Sequence, residues 1–173
     1  MRIIDLSRTI EEGMPVYPGD PEVRIEKVQT MSSHTWELSY IQMGSHTGTH
    51  VDAFSHMHIG MESIDEIPIE RFMGKAQLVA REDDWETGIG LLFQEMMVIE
   101  DLERILQSKP GFVGGDLEEE LERELLKHGI ITYTDLVNLD KIPKSKTFMF
   151  IGLPLKIKSC DGSPVRAIAI IED

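Results

Sequence analysis

Short apolar segments recur along this chain, and most are too brief to form a helix of ordinary length. They cover residues 2–6, 23–28, 36–43, 74–80, 130–133, 147–151 and 165–171. Their Ile, Val and Phe content and partial alternation suit strands that bury one or both faces in a sheet. Two stretches read as helical. In residues 117–128, Leu117, Leu121 and Leu125 recur every fourth position among glutamates; Asp116 can cap the start, and Gly129 stands where a left-handed residue closes a helix. Residues 96–107 read as a helix, or as a strand passing into one, with Asp101 able to cap residues 102–106. Residues 64–72 read as loop plus a helical turn. Between the first two strands, Met14-Pro15-Val16-Tyr17-Pro18-Gly19-Asp20-Pro21 excludes helix and dictates an ordered loop. Strands outnumber helices, which implies an α/β or α+β class with a mixed sheet. No repeat, low-complexity tract or linker divides the chain, so residues 1–173 are expected to form a single compact domain.

Charge narrows the partners. Against 17 Lys and Arg stand 31 Asp and Glu, a net charge of −14 that repels a phosphate backbone, so nucleic acid is excluded. Most of the excess lies in the acidic helical region, which reads as a solvated face. No apolar run approaches the ~20 residues of a membrane span, and Arg2 and Asp5 occupy the place of a signal peptide's apolar core, so no membrane is expected. The single cysteine, Cys160, permits no internal disulfide and suits the cytoplasm. It has no basic neighbour to activate it as a nucleophile.

Chemistry concentrates in Ser45-His46-Thr47-Gly48-Thr49-His50-Val51-Asp52-Ala53-Phe54-Ser55-His56-Met57-His58, which holds four of the six histidines. His46 and His50 have helical spacing, but Thr47, Gly48, Thr49 and Val51 form helices poorly, and a turn at Gly48 brings both imidazoles together instead. His50 and Asp52, two apart, share one side of an extended stretch. Two neutral imidazoles and a carboxylate suit a divalent metal, zinc, manganese or iron(II), with zinc the first expectation and manganese the second, and with positions left for water. Such a metal lowers the pKa of its water toward ~7 and polarises a carbonyl. His56, with His58 as the other candidate, is placed to pass a proton to the leaving atom. His34 and His128 read as structural. Arg166 stands beside an apolar strand and calls for a carboxylate partner as a brace.

The run from His46 to His56 resembles the H-x-G-T-H-x-D-x-P-x-H signature of the cyclase-like metal-dependent hydrolases, a family that includes bacterial kynurenine formamidases and isatin hydrolases. The resemblance extends over Asp5-Leu6-Ser7, the loop at Pro15 to Asp20, residues 64–74, Gly114-Gly115-Asp116, residues 136–139, Pro154-Leu155-Lys156-Ile157 and Asp161-Gly162-Ser163-Pro164-Val165-Arg166. It implies a small α/β fold of the swivelling type with a barrel-like core, assembled as a homodimer or homotetramer. It implies hydrolysis of a small amide, formamide or cyclic amide, with His46, His50 and Asp52 as first-metal ligands, Asp52 bridging to a second metal, and His56 as acid and base. Where the family completes that second site with a His and a Glu, this sequence carries Glu122 and Thr134. Glu122 remains an oxygen ligand candidate, whereas Thr134 is a weak neutral one. Phe54 replaces the signature proline and, with Tyr17, is a candidate substrate wall. The altered second site leaves an alternative: a fold with at most one metal, serving as a binding or assembly protein.

Overall fold

In the computed structural model, residues 1–144 and 146–172 are described. The strands are β1 (Arg2–Asp5), β2 (Arg24–Gln29), β3 (Leu38–Gln42), β4 (His50–Asp52), β5 (Met73–Val79), β6 (Gly90–Phe93), β7 (Phe112–Gly114), β8 (Ile131–Thr134), β9 (Thr147–Ile151), β10 (Gly162–Pro164) and β11 (Ile168–Ile171). The α-helices are α1 (Met31–His34), α2 (Leu102–Ser108) and α3 (Glu119–Lys127). Nine strands form one mixed sheet in the order β1-β11-β9-β5-β6-β7-β8-β4-β10, curled into a half-barrel. The run β5 to β8 is parallel and the flanking pairs are antiparallel. The α/β reading of the sequence holds.

A parallel run must be covered on both faces, and β6 shows how the sequence arranges it. Leu92 faces a core of Ala76, Leu78, Phe112, Tyr133 and Phe150, while Leu91 and Phe93 face Val79, Met97, Ile105, Leu121 and Leu125 on the helical side. The α3 segment stays helical despite its glutamates because Leu121, Leu125 and Leu126 are fully buried. Burial contributes about 1.5–3 kcal/mol per leucine, whereas like-charged neighbours on a helix surface cost about 0.2–0.5 kcal/mol per pair.

Two caps differ from expectation. Asp116 does not cap the acidic helix: Met97 and Leu117 pair as a bridge, with Met97 N–H donating to the Asp116 carbonyl and Glu118 N–H to the Met97 carbonyl. That pairing keeps residues 116–118 extended, so α3 starts only at Glu119. Asp101 is itself helical at φ −81, and its carboxylate turns back to accept from Val98 N–H and Arg81 rather than capping α2. Arg166 forms the expected brace, donating to both Asp5 oxygens at 2.9 and 2.7 Å, though on the exposed surface ahead of β11.

Outside the main sheet, β2 and β3 form a two-stranded antiparallel ribbon. Val28, Trp36, Leu38, Tyr40 and Ile41 on and beside it are exposed. Among the described residues no helix is long and apolar enough to cross a membrane.

Candidate active site

The histidine run folds as a turn into a strand. Gly48 takes φ +61, a conformation costly for any side-chain-bearing residue, and the chain then enters β4 between β8 and β10. The register sets His50 opposite Thr134 and Pro164, and Asp52 opposite Thr132 and Gly162. His50, Asp52, Thr132 and Thr134 therefore share one face, as residues directly paired or two apart must.

Asp52 is the hub. It is 1% exposed, with Oδ1 2.6 Å from His46 Nδ1 and 3.6 Å from His50 Nε2. Oδ2 lies 3.1 Å from the Thr132 hydroxyl and 3.4 Å from that of Thr134. The Thr132 hydroxyl also stands 2.8 Å from Glu122 Oε1. His50 donates Nδ1–H to the Gly48 carbonyl at 2.7 Å, leaving Nε2 toward Asp52. Ligand-capable atoms of His46, Asp52 and His56 all lie within 4.8 Å of one another, and the His46 and His56 rings stack at 4.0 Å, tilted by 37°. Two or three imidazoles around a buried carboxylate form a donor set suited to a divalent cation.

Charge is tightly coupled here. Burial works against the His46 imidazolium, but hydrogen bonds and charges from Asp52 and then Asp161 outweigh it and raise its pKa to about 9. Burial likewise pushes the Asp52 carboxyl upward, and the His46 hydrogen bond with the His50 and His46 charges holds it at about 2. Glu122 goes the other way: burial, then the neighbouring Asp52 charge, lifts it to about 8. Of two adjacent buried carboxyls, one keeps its proton.

These groups line an open cleft of about 610 Å³ together with Tyr17, Asp20, Met57, Leu117, Glu119, Arg123 and Thr134. Tyr17 is at its rim. Phe54 is not among the lining residues: it is 4% exposed, packed in the core behind the motif, with Arg71 above its ring. The apolar wall comes instead from Met57 and Leu117. His58 donates Nε2–H to the Arg123 carbonyl at 2.7 Å, tying the motif to α3. His34 and His128 make local contacts with Thr30 and with the Glu124 carbonyl. Two residues of the centre were not singled out by their chemistry in the sequence. Thr132 could have been, since it alternates with Ile131 and Tyr133 as the polar position of an apolar strand. Asp161, which contacts His46 and His56, lies far along the chain and reaches them only through the pairing of β10 with β4.

A curled mixed sheet with a histidine–carboxylate cluster in an open cleft defines an α/β protein with a candidate metal centre. The chain belongs to the cyclase-like metal-dependent hydrolase family: the family model described as putative cyclase matches residues 4–111. An uncharacterized protein of Methanocaldococcus jannaschii is 33% identical, over 99% of this chain and 100% of its own. The kynurenine formamidase of Salinibacter ruber is 24% identical over 97% of each chain. Isatin hydrolase A from Labrenzia aggregata, solved bound to benzyl benzoate, shares the fold with a TM-score of 0.84 at 23% identity, over 99% of this chain and 94% of that one. A potential metal-dependent hydrolase with cyclase activity superposes with a TM-score of 0.78 at 26% identity over 99% of both chains.

Proposed function

We propose that this protein hydrolyses a small amide, with an aryl formamide as the first substrate class and a cyclic amide as the second, at the cleft that holds His46, His50, Asp52 and His56. The convergence of those four side chains on one face of a cleft of substrate size carries the reading. A divalent cation, zinc first and manganese second, would be held by His46, His50 and Asp52 with Glu122 beside them; it would polarise the substrate carbonyl and make its water acidic enough to attack near neutral pH. His56 moves the proton to the leaving nitrogen, Met57 and Leu117 shelter the apolar part of the substrate, and Tyr17 closes the rim. The alternative of a fold retained without hydrolysis is not favoured, because the similar proteins are a kynurenine formamidase and an isatin hydrolase and the histidine–carboxylate cluster opens on a cleft.

The experiment is metal analysis together with turnover on a panel of formylated aryl amines and cyclic amides. Metal-dependent turnover that chelation removes is expected. Bound metal without turnover on any member would favour the binding protein instead. A second measurement addresses Glu122. At pH 7 the cation-free centre carries an imidazolium at His46 and a protonated carboxyl at Glu122, one titratable proton each, since both titrate above 7. Cation uptake at those atoms is expected to release about two protons, and about one fewer in Glu122→Gln, counted by calorimetry in buffers of different ionisation heat. Equal release from both proteins would remove Glu122 from the ligand set.

Assembly as a homodimer or homotetramer in a cytoplasmic setting belongs to the same proposal. An isolated two-stranded ribbon is marginal in water, and Arg24 and Lys27 balance Glu26 and Glu37 across β2, β3 and their turn, within a chain of net charge −14. That is a surface on which two acidic copies can meet without repulsion, burying Trp36, Leu38 and Tyr40. Light scattering should give a multiple of the 19.6 kDa chain, reduced to the monomer by Trp36→Glu with Tyr40→Glu; a monomeric wild type would overturn it.

A further inference from the structure

Asp161 lies outside the histidine run, yet two of its histidines rest on it. Its Oδ2 is 2.9 Å from His46 Nε2 and 3.3 Å from His56 Nδ1. Its Oδ1 accepts from the Ser45 hydroxyl at 2.9 Å and faces Cys160 Sγ at 3.6 Å. The backbone is equally fixed: the Asp161 carbonyl accepts from Ala53 N–H at 2.8 Å, and Gly162 is paired with Asp52 in the ladder. A Cβ at position 162 would stand 2.6 Å from His46 Cε1 and 2.9 Å from the Val51 carbonyl oxygen. Glycine there lets the His46 ring lie against β10 with its far nitrogen on the Asp161 carboxylate.

We infer that Asp161 is a positioning residue of the centre, taking the Nε2 proton of His46 so that Nδ1 is presented as a donor atom beside Asp52, and holding Nδ1 of His56 so that its other nitrogen faces the cleft. A neutral imidazole has one proton for two nitrogens, and whichever nitrogen a fixed acceptor engages decides which one is free to ligate. For His50 the Gly48 carbonyl plays that part. For His46, whose Nδ1 points at Asp52, the acceptor has to stand at Nε2, and a carboxylate can only accept. A carboxylate behind a ligating histidine also makes that ligand more basic. The inference rests on the metal reading above and goes beyond it by assigning the acceptor.

The test measures cation affinity, by competition with a chromophoric chelator for Zn²⁺ and Co²⁺, and the visible spectrum of the Co²⁺ protein, for wild type, Asp161→Ala and Asp161→Asn. Asp161→Ala is expected to bind about 10–100-fold more weakly, with an altered Co²⁺ spectrum. Asp161→Asn should fall between it and wild type, because its amide oxygen can face His46 while its NH₂ donates to Ser45; it also decides the matter if the alanine variant does not fold. At saturating metal, Asp161→Ala should lose kcat with KM held, through the misaligned His56. A role in the fold alone would lower the melting temperature while leaving affinity and spectrum as in wild type, and that result would overturn the inference. A wild type that binds neither cation would instead remove the metal reading, and this one with it.

Discussion

Asp52→Asn is expected to lose cation binding by more than the ~100-fold that removal of a ligand's supporting partner costs, and to destabilise the cation-free protein most at mildly acidic pH. The amide keeps the shape but surrenders the charge against which His46 and His50 are arrayed. With no cation bound, the wild-type pair consists of a carboxylate at 1% exposure and an imidazolium 2.6 Å away. The sign of its pH dependence follows from both partners. His46 is raised from 6.5 to about 9, so its contribution is complete below pH 6.5 and fades as pH rises through 9. Asp52 is lowered from 3.8 to about 2, so its contribution is complete above pH 3.8 and fades as pH falls through 2. Both are whole between pH 3.8 and 6.5. Breaking a buried pair by removing one partner costs about 3–5 kcal/mol; Asp161 still faces His46, so a loss near about 3 kcal/mol is expected. That corresponds to a fall in melting temperature of about 6–12 °C for a domain of this size. Above pH 9 the loss should shrink, because His46 is then neutral and Glu122, ionised above about 8, repels the Asp52 carboxylate of the wild type but faces an uncharged amide in the variant. Thermal melts in chelator at about pH 5.5 and about pH 9.5 check this; an equal loss at both would show that the amide disrupts packing rather than charge.

What the sequence made legible follows the range of the interactions concerned. The turn at Gly48 and the shared side of His50 and Asp52 are matters of adjacent residues, and periodicity and backbone preference suffice for them. Thr147–Ile151 likewise emerges with the bounds its apolar run implies. The caps show the limit. Asp116 has the right chemistry to begin a helix, but a bridge between Met97 and Leu117 holds it extended, and no local rule weighs a partner so far along the chain. Phe54 shows another limit: its position between Asp52 and His56 suggests a cleft wall, but a 3-10 turn over Phe54–His56 carries its ring to the core side while His56 faces the cleft.

The centre itself is assembled from three parts of the chain, and only one of them is a compact motif. Glu122 reaches Asp52 because α3 packs back on β8, and Asp161 reaches His46 because β10 closes beside β4. Neither approach is written in spacing. The motif, the β4 register and Asp161 build the first cluster without Glu122 and Thr134, which stand beside it: the Thr134 hydroxyl is 3.4 Å from Asp52 Oδ2, and Glu122 shares the Thr132 hydroxyl with that oxygen.

His56→Ala should separate the two jobs available to that side chain. Its ring sits 4.0 Å from that of His46, and one of its nitrogens is close enough to His46 and Asp52 to count among the metal donors. It is also the more exposed of the two, at 29% of its side chain against 17%, and is held at Nδ1 by Asp161, an arrangement that frees the other nitrogen for proton transfer. If His56 moves protons, the alanine variant keeps cation affinity within a few-fold of wild type, while kcat falls by about 10²–10⁴. The loss should be smaller for substrates whose leaving nitrogen is an electron-poor aniline, because such a nitrogen needs less help from an acid to depart. A ligand role predicts the opposite pattern: affinity and turnover fall together, and the leaving group does not matter. Cation titration combined with kcat across a series of ring-substituted formanilides distinguishes the two, and parallel loss of binding and turnover would move His56 from the proton path into the coordination set.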